Sequence, residues 1–193
     1  MNTIETDRIT GAKVVLRGKR LEDAANDYAW RSDERLSRLD AAMTLRVPYE
    51  HFLVSYTDDI SYHSPRRRRF AIDALDGKHI GNCMYYNIDR LKREAEIGIM
   101  IGDSDYWDRG YGTDAVNTLL KHIFSTTNIE KVYLHTLEWN IRAQQCFAKC
   151  GFVPLKKRRR YNGTFVVMEV RRADWLSHPT RGQKSAVKRK QEG

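Results

Sequence analysis

No stretch of this 193-residue chain approaches the roughly 20 consecutive apolar residues that a bilayer-crossing helix requires. Residues 1–9 lack the basic start and apolar core of a secretory leader. Cysteine is scarce and odd in number, at three. Cys146 and Cys150 stand four apart on an expected helix, where a disulfide would bend it, and Cys83 stands alone. No Cys/His set has zinc spacing, and no other metal set is legible. These absences exclude a disulfide-stapled scaffold and a zinc module, and they fit a reducing, cytoplasmic setting. There is also no internal repeat.

What is present describes a globular domain: 41% hydrophobic and 31% charged residues. The expectation is one domain over residues 1–177 and a basic, disordered tail over 178–193. The net charge of +9 is uneven. It collects in Arg66–Arg69, in Lys156–Arg160, and in the tail at Arg181, Lys184, Lys188, Arg189 and Lys190. The remainder is slightly acidic. Such clusters permit an acidic partner without demanding one.

Periodicity sets the elements. Lys13–Arg17 reads as a strand. Leu21–Asp33 has helical spacing, and Pro48–Ile60 suits a second helix with its proline in the first turn. Three strands follow over Arg67–Leu75, Lys78–Asn87 and Ala95–Ile101, the first two joined by Asp76-Gly77, a two-residue hairpin signal. Ala115, Val116, Leu119, Leu120, Ile123 and Phe124 form one face of an amphipathic helix. A strand over Lys131–Leu137, a helix from Asn140 to about Lys149 and a hairpin over Phe152–Tyr161 and Thr164–Arg171 complete the order. The expected fold is α/β: a three-layer architecture with a central mixed sheet of about seven strands and helices on both faces. Ile101 connects to Lys131 through the amphipathic helix as a crossover between parallel strands.

The junction Asp103–Asp114 carries the most chemistry. In Arg109-Gly110-Tyr111-Gly112-Thr113 two glycines let successive N–H groups converge and let a ligand approach closely. The following helix adds unpaired N–H groups and a positive dipole end, Arg109 a charge, and Thr113 a hydroxyl. This is a pyrophosphate cradle. It lacks the third glycine of a dinucleotide fingerprint and the Gly-Lys-Ser/Thr ending of a P-loop.

The segments AEIGIMIG, YWDRGYGTDA and WNIRAQQCFAKCGF together resemble the GNAT acetyltransferase superfamily, most of all its branch of ribosomal-protein-alanine and spermidine-type N-acetyltransferases. The resemblance implies acetyl-CoA held where the strands around Ile97–Ile101 and Val132–Leu137 splay apart. It implies backbone contacts from Met100, Ile101 and Gly102 to the pantetheine arm. Arg109, Gly110, Tyr111, Gly112 and Thr113 would hold the pyrophosphate, and Asn140, read from the residues as an N-cap, would also meet pantetheine. Trp107 stands where the family's motif usually has Gln or Arg, which makes Arg109 the principal cation. Phe147 stands where the family often has a Tyr that protonates the leaving thiolate.

Alternation puts Glu94, Glu96, Gly98 and Met100 on one face of their strand. The resemblance makes Glu96 the catalytic base, and a solvated glutamate or one paired with a neighbouring arginine is the other reading of that position. The two cysteines read as small hydrophobes, and His135 as structural. The function implied is acetyl-CoA-dependent N-acetylation of a primary amine by direct attack in a ternary complex, with a protein N-terminus, a polyamine or another small amine as acceptor. Two alternatives stay open: a ribosome- or nucleic-acid-associated basic protein, and a GNAT-like module that binds acyl-CoA without turnover. Oligomerisation stays open as well.

Overall fold

The computed structural model describes residues 8–62, 64–160 and 162–178. The expectation of a disordered tail falls on residues 179–193, outside the described residues. A single sheet holds eight strands: β1 (Ile9–Thr10), β2 (Val14–Arg17), β3 (Arg67–Ala74), β4 (His79–Asp89), β5 (Glu94–Ile101), β6 (Lys131–Leu137), β7 (Val153–Arg160) and β8 (Gly163–Arg171). Their spatial order is β1-β2-β3-β4-β5-β6-β8-β7. Every neighbouring pair is antiparallel except β5 and β6. The strand beyond the expected seven is β1, whose two residues are too few to show a period.

Among the described residues six helices flank the sheet: α1 (Ala24–Ser32), α2 (Glu34–Leu39), α3 (Tyr49–Ser61), α4 (Tyr111–Thr126), α5 (Ile141–Lys149) and α6 (Arg172–Ser177). The single helix expected over residues 21–33 is a 3-10 turn at Leu21–Asp23 leading into α1. Asp33 then leaves the helical region, and its side chain accepts the Leu36 N–H at 3.0 Å, starting α2. The turn at Asp76-Gly77 is three residues long rather than two. Ala74 and Lys78 close it, and Gly77 takes a left-handed φ of 88°.

α4 forms as its spacing predicts. Val116, Leu119, Leu120 and Ile123 are fully buried with Ala115, and Phe124 nearly so, against Leu16, Ile72, Ile97 and Leu134 of the sheet. Each large side chain buried this way contributes about 1.5–3 kcal/mol. A smaller cluster, Ala24, Phe52 and Tyr56, joins α1 to α3. The turn before α1 is tied to the sheet by Arg17, buried between Asp23 and Asp73 and hydrogen-bonded to both at 2.6–2.9 Å. A buried charge set of this kind costs desolvation but tolerates only one arrangement of its partners. It fixes where α1 and α2 begin, and so where the site beneath them lies.

Candidate active site

The parallel ladder between β5 and β6 covers only Glu94–Glu96 against Lys131–Tyr133. Beyond Glu96 the two strands part. β6 keeps β8 as its partner through Leu137, and β5 keeps β4 through Ile101. The gap opens a cleft of about 330 Å³ floored by Ile99, Met100 and Ile101. One wall is the loop into α4, the other is α5, and α2 closes the end with Leu36, Leu39 and Asp40.

The loop turns through two left-handed residues, Asp108 at φ 56° and Gly110 at φ 85°. Gly110 is the N-cap of α4, and no side chain among the described residues caps that end. The first N–H groups of a helix have no intrahelical partner, so this end faces the cleft as a donor set. A Cβ on Gly112 would meet only Cys146 Sγ at 3.5 Å and Ile101 Cγ1 at 3.8 Å, ordinary contacts. The fold itself does not require glycine there. Its absent side chain keeps the approach to the helix end open.

Trp107 braces the loop. Its Nε1–H donates to the Ile101 carbonyl at 2.7 Å, and two guanidiniums lie over its ring, Arg142 at 3.8 Å and Arg35 at 4.7 Å from the centroid. Arg142 and Lys149 line the cleft; Arg109 does not, and its Nη1 donates to the Asp105 carbonyl at 3.0 Å. Of the other residues expected at the cofactor, Met100, Ile101, Gly110, Gly112, Thr113 and Asn140 line the cleft, while Gly102 and Tyr111 do not. The Gly102 N–H donates to Ile80, and Tyr111 packs edge-on against Tyr106. Asn140 caps α5 through Ala143 N–H at 3.2 Å, and its amide donates to the Leu39 carbonyl at 3.4 Å.

Cys146 is not a buried hydrophobe. It lines the cleft, 3.5 Å from Thr113 Oγ1. Hydrogen bonding from Cys150 outweighs the desolvation of its thiol, and Thr113, Lys149 and Arg142 help lower its pKa to about 7. Phe147 sits beside it, also on the cleft wall.

A second cleft, of about 450 Å³, lies between the sheet and the α1–α3 layer. Charged side chains line it: Lys19, Arg31, Arg67 and Arg69 against Asp27, Asp40 and Asp59. Arg67 and Arg69 share Asp59, and Lys19 pairs with Asp27. The two clefts have four lining residues in common, Leu36, Asp40, Ile99 and Met100.

Glu96 lies on the face of β5 that the sequence indicates but lines neither cleft. It is buried at 8% exposure. Oε1 is 2.8 Å from His135 Nδ1 and Oε2 accepts from Asn87 at 3.0 Å. Asn87 reaches it from a bulge in β4, at a left-handed φ of 50°. Tyr86, directly across from Glu96, has its phenol pushed up by burial and then by that carboxylate. The residues that sequence reasoning missed are Asp40, Arg142, Lys149 and the pairing of His135. Among the described residues no group of three or more His, Cys, Asp or Glu is placed to hold a metal, and no helix is long and apolar enough to cross a membrane.

Comparison with known proteins agrees with this architecture. The family model described as "Acetyltransferase (GNAT) domain" matches residues 13–153. A spermidine N(1)-acetyltransferase of Vibrio cholerae serotype O1 is 30% identical over 91 residues, 47% of this chain and 52% of the relative. The Escherichia coli K12 spermidine N(1)-acetyltransferase is 31% identical over 106 residues, 54% of this chain and 56% of the relative. The chain thus spans about half the length of the curated relatives it matches. Among solved structures, a spermidine N-acetyltransferase from V. cholerae in complex with CoA and spermine superposes with a TM-score of 0.74 at 21% identity, covering 84% of this chain and 98% of that one. An aminoglycoside acetyltransferase, AAC(6')-Ib, in complex with coenzyme A does so with a TM-score of 0.70 at 20% identity, covering 84% and 96%. Likeness at that identity speaks for the fold.

Proposed function

This chain belongs to the GNAT acetyltransferase family, and from that premise we propose that it is an N-acetyltransferase that moves an acetyl group from acetyl-CoA to a primary amine by direct attack in a ternary complex. The observation that carries the reading is the β5/β6 gap: a strand-lined slot that ends on an uncapped helix N-terminus at one side and meets a second cleft at the other.

The residues present suit the cofactor. The first-turn N–H groups of α4 and the open position at Gly112 suit a pyrophosphate, with Arg142 and Lys149 as its cations. Arg109 serves at longer range. The edge of β5 that β6 leaves past Glu96, where Trp107 already holds the Ile101 carbonyl, suits the amide-bearing pantetheine arm, with Asn140 opposite. Acetyl-CoA brings a thioester already activated toward amines. The chain has then to orient an amine, take its proton and exclude water.

Glu96 acts in this reading through His135. A carboxylate that accepts Nδ1–H leaves Nε2 with a lone pair, able to receive a proton. Phe147 offers no proton, so the departing thiolate draws on water or on another group. The exposed cations of β7, Lys156–Arg160, suit contact with an acidic partner such as RNA, which would weaken steeply with salt. A cytoplasmic setting accords with three cysteines that form no disulfide.

The test is calorimetric titration with acetyl-CoA, with NADH and ATP as controls, followed by thiol release over a panel of amines. Binding of acetyl-CoA alone, with amine-dependent release, supports the proposal. A folded protein that ignores acetyl-CoA would sink it.

A further inference from the structure

We propose that the acceptor is an amine whose remainder is anionic, an acidic peptide N-terminus or an amino-carboxylate, gripped by Asp40 at its ammonium end and by the Arg67 and Arg69 wall at the other. The inference rests on the acetyltransferase reading and names the substrate class of that same site.

The geometry begins with Asp40. Of the four residues common to both clefts it is the only one that ionises. An amine reaching the thioester slot from the second cleft must pass its carboxylate. Asp40 is also held in place with unusual care. It ends α2, and Ala41 after it takes a left-handed φ of 53°, a conformation costing an alanine roughly 1–2 kcal/mol. Three contacts keep that turn. Ala42 N–H donates to the Ser37 carbonyl at 2.9 Å, Asn162 of the β7–β8 turn donates to the Ala41 carbonyl at 2.8 Å, and Asn140 donates to the Leu39 carbonyl. The residues on either side of Asp40 are thus bolted to two asparagines from distant parts of the chain. Backbone strain kept by such over-determination is characteristic of functional positions.

The rest of the second cleft has the opposite sign. Arg31 faces Asp40, which leaves Lys19, Arg67 and Arg69 against Asp27 and Asp59. Lys19 and Asp27 neutralise each other, whereas Asp59 serves two arginines at once. The cleft is therefore bipolar: one anion at the mouth of the thioester slot and an excess of guanidinium behind it. A polyamine would place its second cation against that excess, while a carboxylate meets paired donors in the fork geometry that favours it.

Asp40 is exposed at the rim of both clefts. Protein crowded around it removes part of its water and raises its pKa to about 6, against the pull of Arg31. The groups facing it are Arg31 from α1 and Tyr86 from β4, with Glu96 behind Tyr86 and Arg67 and Arg69 of β3 in the same cleft. Binding of an ammonium through this carboxylate therefore weakens as pH falls through about 6.

The experiment is calorimetry on CoA-saturated protein with three amines: the dipeptides Ala-Glu and Ala-Lys, and spermidine. The expected result is Ala-Glu bound at least tenfold more tightly than the other two. Arg67→Gln, which leaves Asp59 its partner Arg69, should erase most of that preference. Asp40→Asn should weaken Ala-Glu about tenfold and flatten the pH dependence below about 6. Spermidine binding as tightly as Ala-Glu would overturn the proposal, as would CoA binding with none of the three amines bound. Loss of CoA binding itself, in unaltered protein, would instead overturn the acetyltransferase reading.

Discussion

The guanidinium of Arg142 lies 3.8 Å from the centre of the Trp107 ring, and that ring hands its own N–H to the carbonyl of Ile101. A residue of α5 is thereby locked over the loop into α4, with its charge on the cleft wall. Arg142→Ala should weaken acetyl-CoA binding roughly tenfold or more, the scale of one charge-assisted contact, and the loss should shrink at high salt. Titrations at two ionic strengths check this. Equal affinity at both would return the cation's role to Arg109.

Two glycines should respond in opposite ways. Gly112→Ala meets only ordinary contacts, so its melting temperature should stay put while acetyl-CoA affinity falls. Gly102→Ala drives a methyl into the Trp30 indole, and overpacking of that kind costs about 1–3 kcal/mol. Its melting temperature should drop by several degrees. Thermal scans and titrations of the two variants separate a glycine kept for a ligand from one kept for packing.

Glu96 and His135 should behave as one unit. Glu96→Gln and His135→Asn are each expected to lower kcat at least a hundredfold, within the range for general acid–base groups, with acetyl-CoA affinity preserved. Glu96→Gln should also alter the pH–rate profile. Because neither residue works without the other, the double variant should be little worse than either single one. Losses that multiply would show two independent roles.

Cys146 should be the thiol that reacts first. With its pKa lowered to about 7, alkylation by iodoacetamide should be half-maximal near that pH and should be slowed by acetyl-CoA. Burial pushes the Cys83 thiol up and shields it. Peptide mapping after timed labelling reads this directly. Cys146→Ser should keep acetyl transfer, as direct attack requires. An abolished activity with a trapped acyl-cysteine in the native protein would point to a covalent route.

The features legible in the sequence were those written in consecutive residues. The Arg109–Thr113 turn, the apolar face of α4 and the Asn140 cap each need only local spacing, and all form. The place where β5 and β6 part follows from the resemblance and is where the ladder ends. Asp40 was illegible because α2 has six residues, too few for a period, and because its two asparagine clamps come from residues 140 and 162. Local pattern alone makes His135 structural, because its link to Glu96 depends on the register of a parallel pair, which no local pattern specifies. The Trp107 sandwich joins α2, the loop and α5, three segments that meet only once the gap has formed. Nothing local marks Cys146 as more than a packing residue, because its polarity comes from its neighbours across space.

Among the described residues, the three residue pairs that join β5 to β6 are the only ladder between a five-stranded and a three-stranded portion of the sheet. Past Glu96 no ladder joins the two portions, and the facing edges of β5 and β6 are open there. Amide hydrogen exchange should accordingly run faster along β5 past Glu96 than along residues 81–86 of β4, which are paired on both sides. A molecule seated in the gap would act as a staple across the seam, and occupancy would be felt as slowed exchange on both portions at once.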